Sequence, residues 1–444
     1  MSIAAETPNL RDAARTWGYV GINSFGGPAG QIAVMHRVVV DERKWIDEKR
    51  YLHALNFCMV LPGPEALQLA VYLGWVLNGI LGGLIAGLLF VVPGLAVMAV
   101  LAAVYSVFGD VSWISAMLFG VQAAVIAIVV QALVRVGRRS LQTPLLVGLA
   151  VAAFIALALF NVMFPYVVIA ALVIGWVVGR RAPESLRIGV DADAEVDHVP
   201  REKSRAARRA GLAAFAIWAA PLGVLIAVLG MDNVFSQEAW LFAKTAVLSF
   251  GGAYAALTYV SQQAVGHYGW IEPRDMVAGL GLAETTPGPL VLVMTFVGFV
   301  GAYRAADDLG MPAIVAGLIG FAIAAWATFV PSFGFVLLGA PSVEALRHNP
   351  RVAGALAAVT AAVVGVIADL ALWFGLSVLF GELPQRSWGP ITVDVPQWEL
   401  VDWWAVALTT LSLLLVFRYR LGLLRVIGLA AASGLLLWAL GQHP

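Results

Sequence analysis

The stretch Ser24-Phe25-Gly26-Gly27, followed by Trp45-Ile46 and then Pro62-Gly63-Pro64, decides the fold because all of it occurs twice. The second copy is Ser249-Phe250-Gly251-Gly252, Trp270-Ile271 and Pro287-Gly288-Pro289. One constant displacement relates every position of the first copy to its counterpart in the second, without a gap from the first cluster to the third. One glycine pair or one Pro-Gly-Pro turn is common, whereas three clusters repeated in a single register indicate a duplicated structural unit.

The composition predicts that this unit lies in a membrane. Of the 444 residues, 61% are hydrophobic and only 12% are charged, about half the charged share of a typical soluble domain. The formal net charge is zero, which argues against a nucleic-acid partner. Cys58 is the single cysteine, so the chain has no internal disulfide and cysteine-based metal or dithiol chemistry is not expected.

Two apolar segments in each half are interrupted by the repeated motifs. Residues 12–40 are broken at Ser24–Gly27 and residues 51–80 at Pro62–Pro64; the second-half equivalents are 238–265 and 272–303. No piece between breaks has the ~20 residues that a spanning helix needs, so each segment is a broken helix or a re-entrant hairpin. Continuous spans are predicted at 81–108, 113–136, 143–160, 162–179, 211–229, 311–338, 351–380, 400–417 and 421–440.

These segments predict an all-α polytopic membrane protein of about 13 membrane elements in two repeats. The expected divisions are a first repeat at 1–180, a cytoplasmic linker at 181–210, an extra transmembrane helix at 211–230 and a second repeat at 231–444. Each repeat has six membrane elements, and one extra span lies between the repeats. The second repeat is therefore inverted relative to the first. The inverted duplication holds whether the interrupted segments cross or re-enter.

The placement of basic residues predicts the orientation. If the interrupted segments are re-entrant, all but four of the 27 Lys and Arg lie on the cytoplasmic side; the exceptions are Lys244, Arg274, Arg304 and Arg386. The positive-inside rule then places the N-terminus in the cytoplasm and the C-terminus on the opposite side of the membrane. Full crossing would move the basic loop after Val40 outside, so hairpins are favoured.

The motifs point to anion binding by the backbone. Inverted repeats with broken helices recur in secondary transporters, whose substrate binds near the bilayer midplane. A helix that starts after a glycine pair presents free N–H groups and its positive dipole end. The candidate substrate-binding residues are Ser24, Phe25, Gly26, Gly27, Pro28, Pro62, Gly63, Pro64, Ser249, Phe250, Gly251, Gly252, Thr285, Thr286, Pro287, Gly288 and Pro289. The alternative is that the breaks are kinks that let helices pack closely.

Four ionisable residues are candidates for supporting roles. Glu65 and Glu284 flank the two Pro-Gly-Pro motifs and are candidates for proton coupling; the alternative is a carboxylate bonded to a helix terminus. Lys244, five residues before Ser249, is a candidate for balancing the charge of a bound anion, or it snorkels to the interface. Arg37 either lines a cytoplasmic entrance or acts as a positive-inside anchor.

The three clusters, duplicated in a chain of this size, resemble those of the two-domain members of the chromate ion transporter family. The resemblance covers nearly the whole chain and is densest at residues 23–77 and 248–301. It implies an inner-membrane carrier that exports chromate, an oxyanion shaped like sulfate, driven by the proton gradient or the membrane potential. It also implies that the motif residues are the core positions. Pro28 corresponds to Ala253, so the mirrored sites need not be equivalent.

Other classes of function have weaker support. The sequence has no P-loop, dinucleotide-binding fingerprint, HExxH or haem-attachment motif, and its six histidines form no metal-ligand pattern. We therefore expect no enzyme activity, no cofactor and no resident metal. The alternatives within transport are a carrier for sulfate or another oxyanion and a passive anion channel, and a membrane-embedded enzyme ranks last. The expected partners are an oxyanion and the lipid bilayer, and a homodimer is compatible with the sequence.

Overall fold

The computed structural model describes residues 8–186, 201–250, 252–340, 350–381, 383–389 and 391–442. The first half consists of helices α1 (Leu10–Asn23), α2 (Gly27–His36), α3 (Glu48–Cys58), α4 (Glu65–Phe108), α5 (Ser112–Ser140), α6 (Pro144–Ala158) and α7 (Phe164–Arg181). Helix α8 (Arg201–Leu229) begins within the predicted linker, of which residues 187–200 lie outside the described part.

The second half is also helical. It contains α9 (Val234–Leu248), α10 (Ala253–Ser261), α11 (Pro273–Thr285), α12 (Val293–Arg304), α13 (Ala306–Leu309), α14 (Ala313–Gly339), α15 (Pro350–Phe380), α16 (Trp403–Phe417) and α17 (Leu423–Ala439). The connection between α15 and α16 contains a short antiparallel hairpin, β1 (Gln385–Trp388) and β2 (Ile391–Asp394). Its strands include the β-favouring residues Trp388, Ile391 and Val393.

The helices confirm the predicted all-α polytopic membrane fold. Within the described residues, six helices are long and apolar enough to cross a membrane: 65–108, 112–140, 164–181, 205–229, 313–339 and 350–380. Shorter apolar helices cover 144–158, 290–304, 403–417 and 423–439. Helix α4 contains two predicted elements, the end of the interrupted segment 51–80 and the span 81–108. Between them, the backbone leaves helical geometry at Asn78 and Gly79.

The duplication extends to backbone details that the sequence motifs do not specify. A π-helical turn at Arg37–Glu42 recurs as a π-helical turn at Gln262–His267, which are the equivalent positions of the second copy. Two residues further along each copy, Lys44 and the equivalent Gly269 both adopt a positive φ, of 52° and 64°. Equivalent residues therefore adopt the same local structure even where the side chains differ.

The chain divides into two compact units, and each takes segments from both sequence halves. Unit 1 comprises residues 1–103, 191–256 and 286–346, and unit 2 comprises residues 104–190, 257–285 and 347–444. The helix breaks at Ser24–Gly27 and Ser249–Gly252 both fall in unit 1, as do both Pro-Gly-Pro turns. Unit 1 therefore holds the described part of every repeated motif except the Trp270-Ile271 pair.

Small residues allow close helix packing within unit 1, as is usual in membranes. Helices α12 and α14 cross at Gly298 and Gly320, where a Cβ added to Gly320 would lie 2.3 Å from the Gly298 carbonyl oxygen. Helix α8 is attached to α14 by indole hydrogen bonds, from Trp218 to the Ala327 carbonyl (3.0 Å) and from Trp326 to the Trp218 carbonyl (3.1 Å).

Unit 2 uses the same kind of contact. Helix α7 approaches α15 where a Cβ on Gly175 would lie 2.3 Å from the Gly354 carbonyl oxygen. Helix α5 approaches α17 in the same way at Gly120 and Ala430. Substituting either glycine would force backbones apart, so these packings depend on glycine at the contact.

Candidate functional site

The first helix break lies where the sequence predicts it. Helix α1 ends at Asn23 and α2 begins at Gly27, after Gly26 in the left-handed conformation (φ 85°). Pro28 occupies the first turn of α2, where its missing N–H leaves no hydrogen bond unmade. Ser24 is fully buried, and its hydroxyl donates to the Val20 carbonyl at 2.6 Å. The local sequence thus ends one helix and starts another inside an apolar segment.

The second copy has a helix break at the equivalent position. Helix α9 ends at Leu248 and α10 begins at Ala253, after Gly252 with φ 104°. Ser249 has backbone angles of −77° and 57°, close to the −85° and 69° of Ser24. Phe25 and Phe250 are both half-buried. Gly251, a predicted site residue, lies outside the described part of the chain.

The two Pro-Gly-Pro turns bond to the breaks of the opposite copy. The backbone N–H of Gly63 donates to the Ser249 carbonyl at 3.2 Å, and that of Gly288 donates to the Ser24 carbonyl at 2.9 Å. The two donors are equivalent residues of the two copies, and so are the two acceptors. This reciprocal exchange joins the four segments into one assembly, which we call the helix-break site (residues 24–28, 62–65, 249–250, 252–253 and 286–290).

Two buried glutamines, absent from the predicted set, belong to the site. Gln31 is 1% exposed and its side-chain amide donates to the Gly288 carbonyl. Gln68 is 0% exposed and donates to the Pro62 carbonyl at 2.6 Å. In both side chains Oε1 has no hydrogen-bond partner among the described residues. An uncharged polar residue in an apolar segment next to a break was the available sequence signal.

The glutamines distinguish the two copies. The second-copy residues equivalent to Gln31 and Gln68 are Ala256 and Val293, neither of which has a polar side chain. The difference between Pro28 and Ala253 adds to this asymmetry. The backbone frame of the site is therefore nearly two-fold symmetric, whereas these two buried amides come from the first copy.

Long helices from each half close against the turn of the other half. A Cβ added to Gly94 of α4 would lie 2.2 Å from the Pro287 carbonyl oxygen. In α14, the Ser332 hydroxyl lies 3.2 Å from the position of a Cβ on Gly63. Both residues directly follow a proline inside a helix, at Pro93 and Pro331. Neither Gly94 nor Ser332 was predicted, because their motif, Pro followed by a small residue, is too short to be distinctive.

The predicted threonines lie at the end of α11 and the start of the second turn. The Thr285 hydroxyl donates to the Leu282 carbonyl at 2.8 Å, within its own helix. Thr286 is 1% exposed and directly precedes Pro287 in unit 1. Thr285 belongs to unit 2, so Thr286 is the threonine that lies in the unit holding the helix-break site.

The predicted ionisable residues occupy different surroundings. Glu65 is the first residue of α4 and is half-buried, whereas Glu284 lies in α11, in unit 2, and is 2% exposed. Lys244 is half-buried in α9, one turn before the break. Arg37 has a half-exposed side chain and pairs with Glu42 at 3.5 Å. Exposed pairs of this kind contribute little to stability, about 0–1 kcal/mol.

The geometry is suited to binding an anion. The N-terminal ends of α2, α4 and α10 all belong to the helix-break site, and α12 follows it after a 3-10 turn at Leu290–Leu292. The first N–H groups of a helix have no partner within that helix and carry its positive dipole end. The buried amides of Gln31 and Gln68 orient the turns beside them.

Comparison with known proteins gives matches over both halves. A family model described as chromate transporter matches residues 11–176 and 236–435. A chromate transport protein of Pseudomonas aeruginosa is 35% identical over 354 residues, covering 78% of this chain and 76% of the relative. One of Cupriavidus metallidurans is 29% identical over 444 residues, covering 99% and 96%. A protein of Methanocaldococcus jannaschii named only as a transporter is 27% identical over 361 residues, covering 81% and 83%. No solved structure shows a significant match.

Proposed function

Because the chain belongs to the chromate transporter family, we propose that it is a secondary active transporter that exports chromate across the inner membrane. The driving force is the proton gradient or the membrane potential. One observation carries the proposal: each Pro-Gly-Pro turn donates its glycine N–H to the break of the opposite copy. An assembly with two mirrored halves that share hydrogen bonds is suited to rocking between two states around one site.

The substrate site in this proposal is the helix-break site. Its half-helix ends offer backbone N–H groups to the oxygens of a tetrahedral dianion, and Thr286 adds a buried hydroxyl. Gln68 fixes the position of the first turn and Gln31 that of the second, through hydrogen bonds to the Pro62 and Gly288 carbonyls. Lys244 is proposed to balance the charge of the anion, and Glu65 and Glu284 remain candidates for proton coupling.

The proposed arrangement in the membrane follows from the distribution of charge. The repeats 1–180 and 231–444 are inverted relative to each other, with the N-terminus in the cytoplasm and the C-terminus in the periplasm. Arg37 then lies near the cytoplasmic side with its partner Glu42. A homodimer is proposed as the functional assembly, and size-exclusion chromatography with light scattering in detergent tests it.

Chromate accumulation by inside-out vesicles tests the function directly. Vesicles that contain the protein should concentrate chromate only when a proton gradient or membrane potential is imposed. Competition by sulfate would show a carrier for oxyanions in general. Uptake that never exceeds the external concentration would indicate a passive channel, and no chromate uptake under any gradient would overturn the proposed substrate.

Two matched glycine substitutions test the site. Gly26 and Gly18 both have open space around an added Cβ, but only Gly26 has a positive φ (85°). A non-glycine residue in this conformation costs roughly 1–2 kcal/mol, so Gly26→Ala should disturb the start of α2 and reduce chromate uptake about tenfold. Gly18→Ala, within α1, should transport normally. Equal rates for both variants, at equal insertion, would contradict a role for this break in transport.

A further inference from the structure

A buried carboxyl group lies in unit 1, outside the helix-break site. Glu238 in α9 is 0% exposed, and neither of its carboxyl oxygens has a hydrogen bond of good geometry within the described residues. The backbone N–H of Ala302 lies near the carboxyl group without the geometry of a hydrogen bond. The residue equivalent to Glu238 in the first copy is Ala13, so this carboxyl group occurs once.

Glu238 lies at the crossing of two other helices. A Cβ added to Gly320 of α14 would lie 2.8 Å from Oε2 of Glu238 and 2.3 Å from the carbonyl oxygen of Gly298 in α12. The carboxyl group therefore fills the space that the absent side chain of Gly320 leaves. Helices α9, α12 and α14 meet around it.

No charged side chain is buried beside Glu238 among the described residues of α8, α12 and α14; Arg304, at the end of α12, is exposed. Helix α14 (Ala313–Gly339) has no charged or titratable residue. Arg304 and Tyr303 lie in the last turn of α12, and the acidic residues of the adjoining connections are exposed: Asp232, Asp307 and Asp308. The basic residues Arg205, Arg208 and Arg209 are at the opposite end of α8 from its contact with α9, which involves Leu225. Lys244 follows Glu238 by six residues in α9, so the two side chains point in directions about 240° apart around that helix.

Ionisation of a carboxyl group in such a place is costly. Removing a charge from water costs several kcal/mol unless a partner or hydrogen bonds compensate it. The neutral acid fits the closed packing of the three helices, whereas the carboxylate requires water or a cation. Loss of the proton is therefore coupled to separation of α9 from α12 and α14.

Helices α9 and α12 connect this carboxyl group to the helix-break site. Glu238 precedes Ser249 by about three helical turns along α9, and Gly298 follows Gly288 by a stretch of similar length. At about 1.5 Å per residue, each path is roughly 15 Å long. Ser249 accepts the hydrogen bond of Gly63, and Gly288 donates to Ser24. A movement at Glu238 therefore displaces one acceptor and one donor of the reciprocal exchange.

We propose that Glu238, in place of the sequence candidates Glu65 and Glu284, is the proton-binding site that couples the proton gradient to movement of the helix-break site. The proposal rests on the proposed function, because it assigns the step that makes transport active. In one cycle, the carboxylate accepts a proton when it is open to one side of the membrane. It releases that proton to the other side when the three helices separate.

Infrared difference spectroscopy of the purified protein in lipid tests proton binding without any substrate. A pH jump should change the carbonyl stretching band of a protonated carboxylic acid, and this band should shift in D₂O. The band should be absent in Glu238→Gln and present at a changed frequency in Glu238→Asp. Glu272→Gln provides the control, because Glu272 is exposed and pairs with Arg274 at 2.8 Å.

Transport measurements supply the second readout. Glu238→Gln should retain exchange of labelled chromate between equal concentrations on both sides, but lose accumulation driven by the proton gradient at least tenfold. An unchanged band in Glu238→Gln, or full gradient-driven accumulation by it, would overturn the proposal. Loss of the band in Glu284→Gln instead would also overturn it. If the wild type transports no chromate, the proposed function fails, while the infrared result still decides whether Glu238 binds the proton.

Discussion

Substitution of Gly94 by alanine tests whether the second Pro-Gly-Pro turn must sit tightly against α4. The added Cβ would lie 2.2 Å from the Pro287 carbonyl oxygen and 2.7 Å from Cδ1 of Leu292. Carbon–oxygen contacts are normally about 3.3 Å or longer, so the turn must move away by roughly 1 Å. A shift of that size lengthens the 2.9 Å bond from Gly288 to Ser24 beyond hydrogen-bonding distance.

The magnitude follows from three opposing effects. Alanine gains about 1 kcal/mol over glycine in a helix interior, whereas overpacking costs about 1–3 kcal/mol and a lost hydrogen bond about 1 kcal/mol. We therefore expect Gly94→Ala to destabilise the protein by about 1–3 kcal/mol. Because a displacement of about 1 Å in a site can reduce rates about 100-fold, we expect transport to fall by one to two orders of magnitude.

The assay is the initial rate of chromate uptake per inserted protein molecule, together with the melting temperature in detergent. Gly223→Ala is the control, because Gly223 lies in α8 with open space where the Cβ would be. This variant should transport normally and be as stable as the wild type or slightly more so. A wild-type rate for Gly94→Ala would refute the conclusion that the position of this turn governs transport.

Two further substitutions separate the roles of side chains from those of the backbone. Ser24→Ala should leave chromate uptake within about twofold of the wild type, because the Ser24 hydroxyl donates to Val20 while the backbone carbonyl holds Gly288; a larger loss would show that the hydroxyl contacts the substrate. Gln31→Leu leaves the Gly288 carbonyl without its side-chain donor, which costs about 1–3 kcal/mol and should raise the KM for chromate roughly tenfold. An unchanged KM for Gln31→Leu would contradict the proposed role of the amide.

Much of the fold was predictable because the apolar pattern and the breaks are local properties. The predicted span 113–136 corresponds to α5 at Ser112–Ser140, and the break predicted at Ser24–Gly27 separates α1 from α2. In both cases, a few neighbouring residues determine the result. The hairpin after α15 was not predicted, because its β-favouring residues are few and lie among prolines and polar residues.

The pairing of the site across the two copies was not predictable from the sequence. Gly63 and Ser249 lie in opposite halves of the chain, and no local pattern identifies which carbonyl a glycine N–H will reach. An ionisable residue in a membrane is a functional candidate because its burial there costs much free energy. Gln31 and Gln68 are uncharged, so this criterion did not select them. Glu238 begins an interrupted apolar segment in the sequence, a position compatible with exposure, whereas the structure buries it between three helices.

The reciprocal exchange has a consequence for biosynthesis. The N–H of Gly63 finds its acceptor on Ser249, which the ribosome adds only after helices α4 to α9 have been synthesised. At about 5–20 residues per second, roughly 10–40 s pass between the two events. During that interval the first half is in the membrane with an incomplete turn, which exposes the nascent chain to quality-control proteases. A chain truncated before α9 should therefore be degraded rapidly, and co-expression of the missing half as a separate polypeptide should rescue it.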